Sequence, residues 1–159
     1  MNEEVLATVH ASPARRWFAI AMLIFVGGLM LYVAMSTPPA LVWQVFLIVM
    51  GAAALWLAEQ MRRATEHALE LTETELRDTS GQVVVRIDDI AKVDRGLFAF
   101  KPSNGFLVIT RPRPGAVWRP GLWWRIGRRI GVGGVTPAAQ TKFMAEILTA
   151  KIMNVDLQP

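Results

Sequence analysis

The chain has 159 residues, enough for one small domain beyond any membrane segments, and it has no cysteine, which excludes disulfides, thiolate metal sites and cysteine nucleophiles. The net charge of +4 is unevenly distributed: acids outnumber bases nine to five from Glu59 to Asp94, whereas Arg95 to Ala145 holds nine Lys or Arg and no acid. A basic block of this length favours phosphates, anionic lipid head groups or an acidic partner as its counterpart.

Two uncharged apolar runs near the N-terminus predict a pair of membrane-spanning helices. Residues 17–35 and 40–58 are nineteen residues each, and Gln44 is the only strongly polar side chain in the second run. At about 1.5 Å rise per residue, each helix covers close to the roughly 30 Å of hydrocarbon core. The connection at 36–39 contains two prolines and is so short that it predicts an antiparallel hairpin.

Basic residues on both flanks predict the orientation of this hairpin. The residues concerned are Arg15 and Arg16 before the first run, and Arg62 and Arg63 after the second. The loop between the runs has no charge, so the positive-inside rule predicts that both termini are cytoplasmic and that residues 1–16 are a cytoplasmic tail. Trp17 lies at a span end, where an amphipathic ring favours the membrane interface.

A cleaved signal peptide is the alternative interpretation of the first run, with 34–36 as a weak cleavage site. The apolar region is long for such a peptide, and two acidic residues precede the arginines. Even after cleavage, Arg62 and Arg63 would hold the C-terminal domain in the cytoplasm.

Small residues predict where the two helices approach each other. The candidates for this packing are Gly27, Gly28, Gly51, Ala54 and Ala58. Gly and Ala are also simply common in membrane helices, which leaves that prediction open. Neither run contains a carboxylate, lysine or histidine for a proton path or a haem, so the hairpin is predicted to be an anchor or a packing element.

Beyond Arg63, short alternating segments replace the long apolar runs and predict an α+β domain over 68–159, after a helix end and linker at 59–67. The predicted strands are 68–71, 75–78, 82–87, 90–93, 96–100, 106–110 and 123–132, with 111–121 as an edge strand or a loop. In the third of these, Val83, Val85 and Ile87 share one face.

Two local signals complete the predicted domain. Asn104-Gly105 is typical of a hairpin turn. Thr136-Pro137 is typical of a helix start, and the helix is expected over 137–153.

This arrangement resembles bacterial membrane proteins that carry a pleckstrin-homology-like domain. The string VVVRIDDIAKVDRG, from Val83 to Gly96, is similar to the strand, acidic turn and Ile-x-x-Val step of that family, and the hairpin at Asn104-Gly105 also fits. The resemblance implies a membrane α-helical hairpin plus a small antiparallel sheet or barrel with one C-terminal helix. It implies a binding or scaffolding role and transfers no catalytic residues.

Six arginines and three tryptophans fall within 111–131 and mark the candidate binding surface. If 123–132 is one strand, Trp124, Ile126, Ile130 and Val132 alternate onto the core face, and Trp123, Arg125 and Arg129 point outward. Each basic residue near an anionic leaflet contributes about 1 kcal/mol. The candidate lipid- or partner-binding residues are Arg111, Arg113, Trp118, Arg119, Trp123, Arg125, Arg128 and Arg129.

Three interpretations of this segment compete: docking on the membrane surface, an Arg/Trp interface for a protein partner, and a solvated edge with mainly buried tryptophans. Nucleic acid is not a predicted partner, because no recognition helix or RNP-like aromatic strand is present. The glycines at 127–134 match neither phosphate-binding loop pattern and suit a turn, bulge or strand twist instead.

The remaining polar residues do not predict a reaction. His10 and His67 lack partners at ligand spacing, Ser80 lacks a GxSxG context, and Asp88-Asp89 would point to opposite faces of a strand. We therefore predict no enzymatic activity, no metal, no cofactor and no small-molecule substrate.

The predicted function is that of a membrane-anchored accessory or scaffold protein of the bacterial inner membrane, such as a small subunit or assembly factor of a larger complex. Its predicted partners are membrane lipids and other membrane-protein subunits. A free-standing lipid-sensing module is the first alternative, and an enzyme or transporter component is the second.

Overall fold

The computed structural model describes residues 4–37, 39–96 and 102–156. They form two long helices, two antiparallel sheets and a C-terminal helix. The elements in chain order are β1 (Ala7–Val9), α1 (Pro13–Ser36), α2 (Leu41–Ala64), β2 (Leu69–Leu71), β3 (Glu75–Asp78), β4 (Val83–Arg86), β5 (Ile90–Asp94), β6 (Phe106–Thr110), β7 (Val117–Arg119), β8 (Trp123–Ile126), β9 (Arg129–Val132) and α3 (Ala138–Asp156). A 3-10 turn at Ile87–Asp89 joins β4 to β5.

Helices α1 and α2 are both long and apolar enough to cross a membrane. Each continues beyond its predicted bounds into the basic flank, since nothing in the flanking sequence stops it until Pro13 on one side and Thr65 on the other. Pro13 suits the first helical turn, where its missing N–H has no partner to lose. Near the connection, Gln44 donates from Nε2 to the carbonyl oxygen of Ala34 at 3.0 Å, so the polar group in α2 is satisfied within the hairpin.

The contact between α1 and α2 is built on glycine. A Cβ on Gly27 would lie 2.9 Å from the carbonyl oxygen of Gly51, and one on Gly51 would lie 3.0 Å from that of Gly27, so only hydrogen fits at either position. Ala58 is buried in the same interface and Ala54 is half-buried. Gly28 has nothing within 4 Å of an added Cβ and is exposed, so the structure places it outside the packing.

The segment predicted as an N-terminal tail contributes a strand to the domain. β1 pairs antiparallel with β2, and Val9 lies opposite Leu69 with both side chains fully buried. The chain then stays attached, because His10 donates its backbone N–H to Gln140 Oε1 at 2.9 Å. As a result, the helical hairpin is inserted between two neighbouring strands of one sheet.

Two sheets and α3 enclose a single core. The order is β1-β2-β3-β4 in the first sheet and β5-β6-β9-β8-β7 in the second. Among the largest fully buried side chains are Phe106, Trp123, Met144 and Leu148, the last two from α3. The structure therefore has a helical hairpin and a small β domain with one C-terminal helix.

Most predicted strands agree with the structure, but the facing of β4 differs from the prediction, and the segment 123–132 forms two strands. Val84 is buried and Val83 exposed, contrary to the expected alternation, because a bulge at Leu76/Arg77 shifts the register between β3 and β4. The predicted strand over 96–100 lies outside the described residues except for Gly96, which is in no strand. Asn104 has φ +54°, the left-handed conformation expected of an Asn-Gly turn before β6.

Candidate functional site

The segment 123–132, predicted as one strand, is a β-hairpin. β8 and β9 pair with Ile126 opposite Arg129, which leaves Gly127 and Arg128 as a two-residue turn. Gly127 has φ +60°, and a positive φ at the first central position is the pattern of a type II′ turn. Directly opposed residues share a face of the sheet, so Ile126 lies on the same side as Arg129. In a single strand these two residues, three positions apart, would lie on opposite sides. Every residue of β8 is therefore on the face opposite to the expected one.

This turn explains why the predicted facing of β8 was wrong. Trp123 is 1% exposed and belongs to the core, while Ile126 is 63% exposed and points outward. On β9 the prediction is confirmed, since Ile130 is buried and Arg129 exposed. Trp123 is therefore a core residue and takes no part in a binding surface.

Arg125 also faces inward and links the two sheets. Its Nε donates to the carbonyl oxygen of Gly115 at 2.8 Å, and its Nη1 donates to those of Val84 at 2.8 Å and Val83 at 3.2 Å. Val83 and Val84 lie on β4, an edge strand of the other sheet, so the guanidinium bridges a gap that no strand pairing closes. Burial lowers the pKa of Arg125 from its ordinary value. This arginine therefore has a structural role, since three carbonyl oxygens already accept from its guanidinium.

Arg119 forms a second link between the sheets. Its Nη2 donates to Gln82 Oε1 at 3.1 Å, and its Nε lies 4.0 Å from Oδ2 of the buried carboxylate of Asp78. The other oxygen of Asp78 accepts from the backbone N–H groups of Ser80 and Gln82. The charge of Arg119 is thus directed toward a buried carboxylate rather than toward an external anion.

The other arginines of the predicted set are exposed: Arg111, Arg113, Arg128 and Arg129. Arg111 donates to the carbonyl oxygen of Asp88 at 3.4 Å. Within the described part of the chain, the side chains of Arg113, Arg128 and Arg129 have no hydrogen bond or ion pair. Within the predicted set, the charge open to an outside anion therefore lies at the β8–β9 turn and in the loop before β7.

Trp118 is the aromatic contact between the domain and the helical hairpin. It is 52% exposed, and its ring stacks on that of Trp56 in α2 with centroids 6.2 Å apart and an interplanar angle of 29°. Beside it, an added Cβ on Gly121 would lie 3.0 Å from Met61 Cε and 3.1 Å from Thr65 Cγ2. The β7–β8 hairpin thus lies directly against the C-terminal part of α2.

Of the predicted orientation residues of α1, Arg15 attaches the hairpin to the domain and Arg16 joins the two helices. Arg15 donates from Nη1 to the carbonyl oxygen of Thr136 at 3.1 Å, just before α3. Arg16 donates from Nη2 to the carbonyl oxygen of Arg62 at 3.1 Å, which joins α1 to the end of α2. The guanidinium of Arg16 also lies 5.4 Å from the centroid of the exposed Trp17 ring.

The orientation residues of α2 are paired with carboxylates one turn away. Glu59 accepts from Arg62 at 2.7 Å and from Arg63 at 2.6 Å, and Glu66 accepts from Arg62 at 2.5 Å. These pairs are exposed and follow the i,i+3 and i,i+4 spacing of a helix surface. The positive flank of α2 is thus partly neutralised by its own helix and by Glu66 just beyond it, which counting arginines along the sequence did not indicate.

The described residues do not assemble a recognisable reaction centre. Among them, no group of three or more His, Asp or Glu could hold a metal ion. An open cleft of about 560 Å³ lies beside the start of α3, and its charged residues include Arg95 and Glu146, which lie 3.5 Å apart. What the arrangement offers chemically is anion binding at exposed guanidiniums next to exposed apolar side chains.

Comparison with known proteins adds no assignment to this geometry, since no family model, no curated protein and no solved structure matches the chain. The resemblance to pleckstrin-homology-like membrane proteins accordingly stays a prediction.

Proposed function

We propose that the protein is a non-enzymatic, membrane-anchored adaptor. Its hairpin crosses the bacterial inner membrane twice, and its small domain, of pleckstrin-homology-like type, serves on the cytoplasmic face as an accessory or scaffold part of a larger membrane complex. The observation that carries this proposal is the double attachment of the domain, because β1 and β2 flank the hairpin and pair with each other. A domain attached at both ends keeps one orientation relative to the bilayer, which a single flexible linker would not impose.

The contacts between domain and helices support the same conclusion. Trp118 stacks on Trp56, and Gly121 packs against Met61, so the β7–β8 hairpin adds a third point of attachment. An adaptor needs such rigidity, because its binding surface must meet a partner at a defined height above the membrane.

The cytoplasmic placement is supported by the charges around the hairpin. Arginines flank both helices on the domain side, whereas the connection at 36–39 is uncharged, which is the asymmetry of the positive-inside rule.

The residues within the hairpin support a structural role for it rather than a role in transport. The span from 17 to 58 contains no ionisable carboxylate, lysine or histidine, and Gln44 is already satisfied by Ala34.

Cysteine labelling tests the topology, since the natural chain has no cysteine. Thr37→Cys at the hairpin connection and Phe143→Cys on α3 each provide one exposed thiol. A membrane-impermeant maleimide should label position 143 only from the cytoplasmic side and position 37 only from the opposite side. Labelling of both positions from one side would contradict the two-span arrangement.

Purification of the tagged full chain at native expression in mild detergent tests the adaptor role. We expect stoichiometric membrane-protein partners. The variant Arg128→Gln/Arg129→Gln alters the exposed turn, and Arg86→Gln/Lys142→Gln is a charge-matched control on exposed residues elsewhere. The control should keep the partners, and loss of the partners from the turn variant alone would locate their contact at the turn. If the unchanged chain purifies alone, the result counts against an adaptor and leaves the free-standing lipid-binding module as the second candidate. Exposed Ile126, beside Arg128 and Arg129, which have no partner among the described residues, and exposed Trp118 on the same face favour that second candidate.

A further inference from the structure

The outer face of the five-stranded sheet carries a continuous set of side chains beside α2. Trp118 lies directly opposite Trp124, and Ile126 lies directly opposite Arg129. Trp124 and Ile126 are two residues apart on β8, so all four side chains share one face. The opposite face of the same strands carries the core residue Trp123.

This face has a defined shape. An added Cβ on Gly131 would lie 2.4 Å from the Trp124 indole, so the ring lies flat over a position where only glycine leaves room. Trp118 and Ile126 are more than half exposed on either side of it. The flat Trp124 ring thus lies between two protruding apolar side chains, Trp118 and Ile126. Arg129 and the turn residue Arg128 lie at the edge of this group.

The contact with Trp56 fixes the depth of this face. Trp56 precedes Ala64, the last residue of α2, by eight residues, or about 12 Å at 1.5 Å per residue. A ring stacked on Trp56 therefore lies well inside the end of a membrane-length helix, at the level where tryptophan favours the interface. The outer face therefore meets the hairpin at the exposed ring of Trp56.

Charge indicates which lipids this face meets. Arg128 and Arg129 are exposed and unpaired within the described residues, and the sequence from Arg95 to Ala145 contains no acid to compete for them. Guanidinium groups bind phosphate oxygens through paired hydrogen bonds. We propose that the outer face of Trp118, Trp124, Ile126 and Arg129, with Arg128, docks on anionic phospholipid head groups of the membrane that the hairpin crosses. This inference rests on the proposed function for the insertion of the hairpin and deepens it by naming the surface and its ligand.

Single fluorescent probes on the full chain test the docking. Ile126→Cys and Phe143→Cys replace side chains of similar exposure, 63% and 55%, one on the proposed face and one on α3. Each variant is labelled with bimane and placed in nanodiscs of phosphatidylcholine with phosphatidylglycerol. We expect the neutral quencher acrylamide to act several-fold more weakly at position 126 than at position 143, and brominated lipid to quench only at position 126. Equal acrylamide quenching without quenching by brominated lipid would overturn the proposal.

A charge variant tests the requirement for anionic lipid. Adding Arg128→Gln/Arg129→Gln should raise acrylamide quenching at position 126 to the value found in phosphatidylcholine alone, whereas Arg86→Gln/Lys142→Gln should not. Should the face instead bind a protein partner, position 126 would stay open to acrylamide in both lipid mixtures, which would also overturn the proposal. Maleimide labelling and purification of the complex test the adaptor function by themselves, so its failure can be distinguished from failure of lipid docking.

Discussion

Replacing Arg125 with leucine should destabilise the β domain, because this guanidinium joins β8 to the edge of β4. Three carbonyl oxygens accept from it, and only the bond to Val84 is partly buried, whereas those to Val83 and Gly115 are exposed. One partly buried bond from a charged donor contributes about 1.5–3 kcal/mol, and water replaces most of the other two. The free energy of unfolding should therefore fall by about 2–3 kcal/mol.

The measurement is a urea titration of the full chain in detergent micelles, followed by near-ultraviolet circular dichroism of the packed tryptophans. Arg128→Leu is the matched control, since its exposed side chain has no bond within the described residues and should change stability by less than about 0.5 kcal/mol. Arg125→Lys should fall between the two, because an ammonium group keeps the charge but lacks the planar fork that reaches separate acceptors. If Arg125→Leu unfolds at the same urea concentration as Arg128→Leu, the guanidinium does not hold the sheets together.

Two further substitutions test the packing described above. Gly27→Leu should separate α1 from α2 and lower the free energy of unfolding by about 1–3 kcal/mol, whereas Gly28→Leu should leave it unchanged. Both variants are measured by thermal denaturation in detergent. Equal effects of the two substitutions would refute the glycine contact. Val9→Lys buries an uncompensated charge in the core and should make β1 and the domain sensitive to limited proteolysis. Thr8→Lys, half-buried on the other side of the strand and directly opposite Glu70, should be tolerated. If the protease cleaves the two variants at the same rate, β1 is not an integral part of the sheet.

The helical hairpin could be predicted from the sequence because its signal is long, whereas β1 could not. Nineteen uncharged residues carry enough information alone, but Ala7–Val9 is a three-residue strand whose partner lies about sixty residues away. Its two inward side chains are too few to reveal a period. Only the pairing with β2 distinguishes this segment from an ordinary polar terminus.

Arg129 lies on the outer side of the sheet, as predicted from the sequence, whereas Trp123 and Ile126 were predicted on the wrong sides. The Gly-Arg pair at 127–128 was a usable signal, since glycine at the first position of a two-residue turn is typical of type II′ hairpins. With that turn placed, Trp123 and Ile126 exchange faces. The role of Arg125 had no local signal, because two of its acceptors are about forty residues away and are backbone atoms of any residue type.

Insertion of the hairpin between β1 and β2 has a consequence for biogenesis. When Val9 leaves the ribosome, its partner Leu69 has not yet been synthesised, so on the proposed two-span topology the two meet only after both helices have been integrated. A chain inserted with α1 reversed, or with a single span, would leave β1 and β2 in different compartments and the first sheet would lack an edge. On the proposed topology, a wrongly inserted chain would therefore expose unpaired strand and core residues to quality-control proteases.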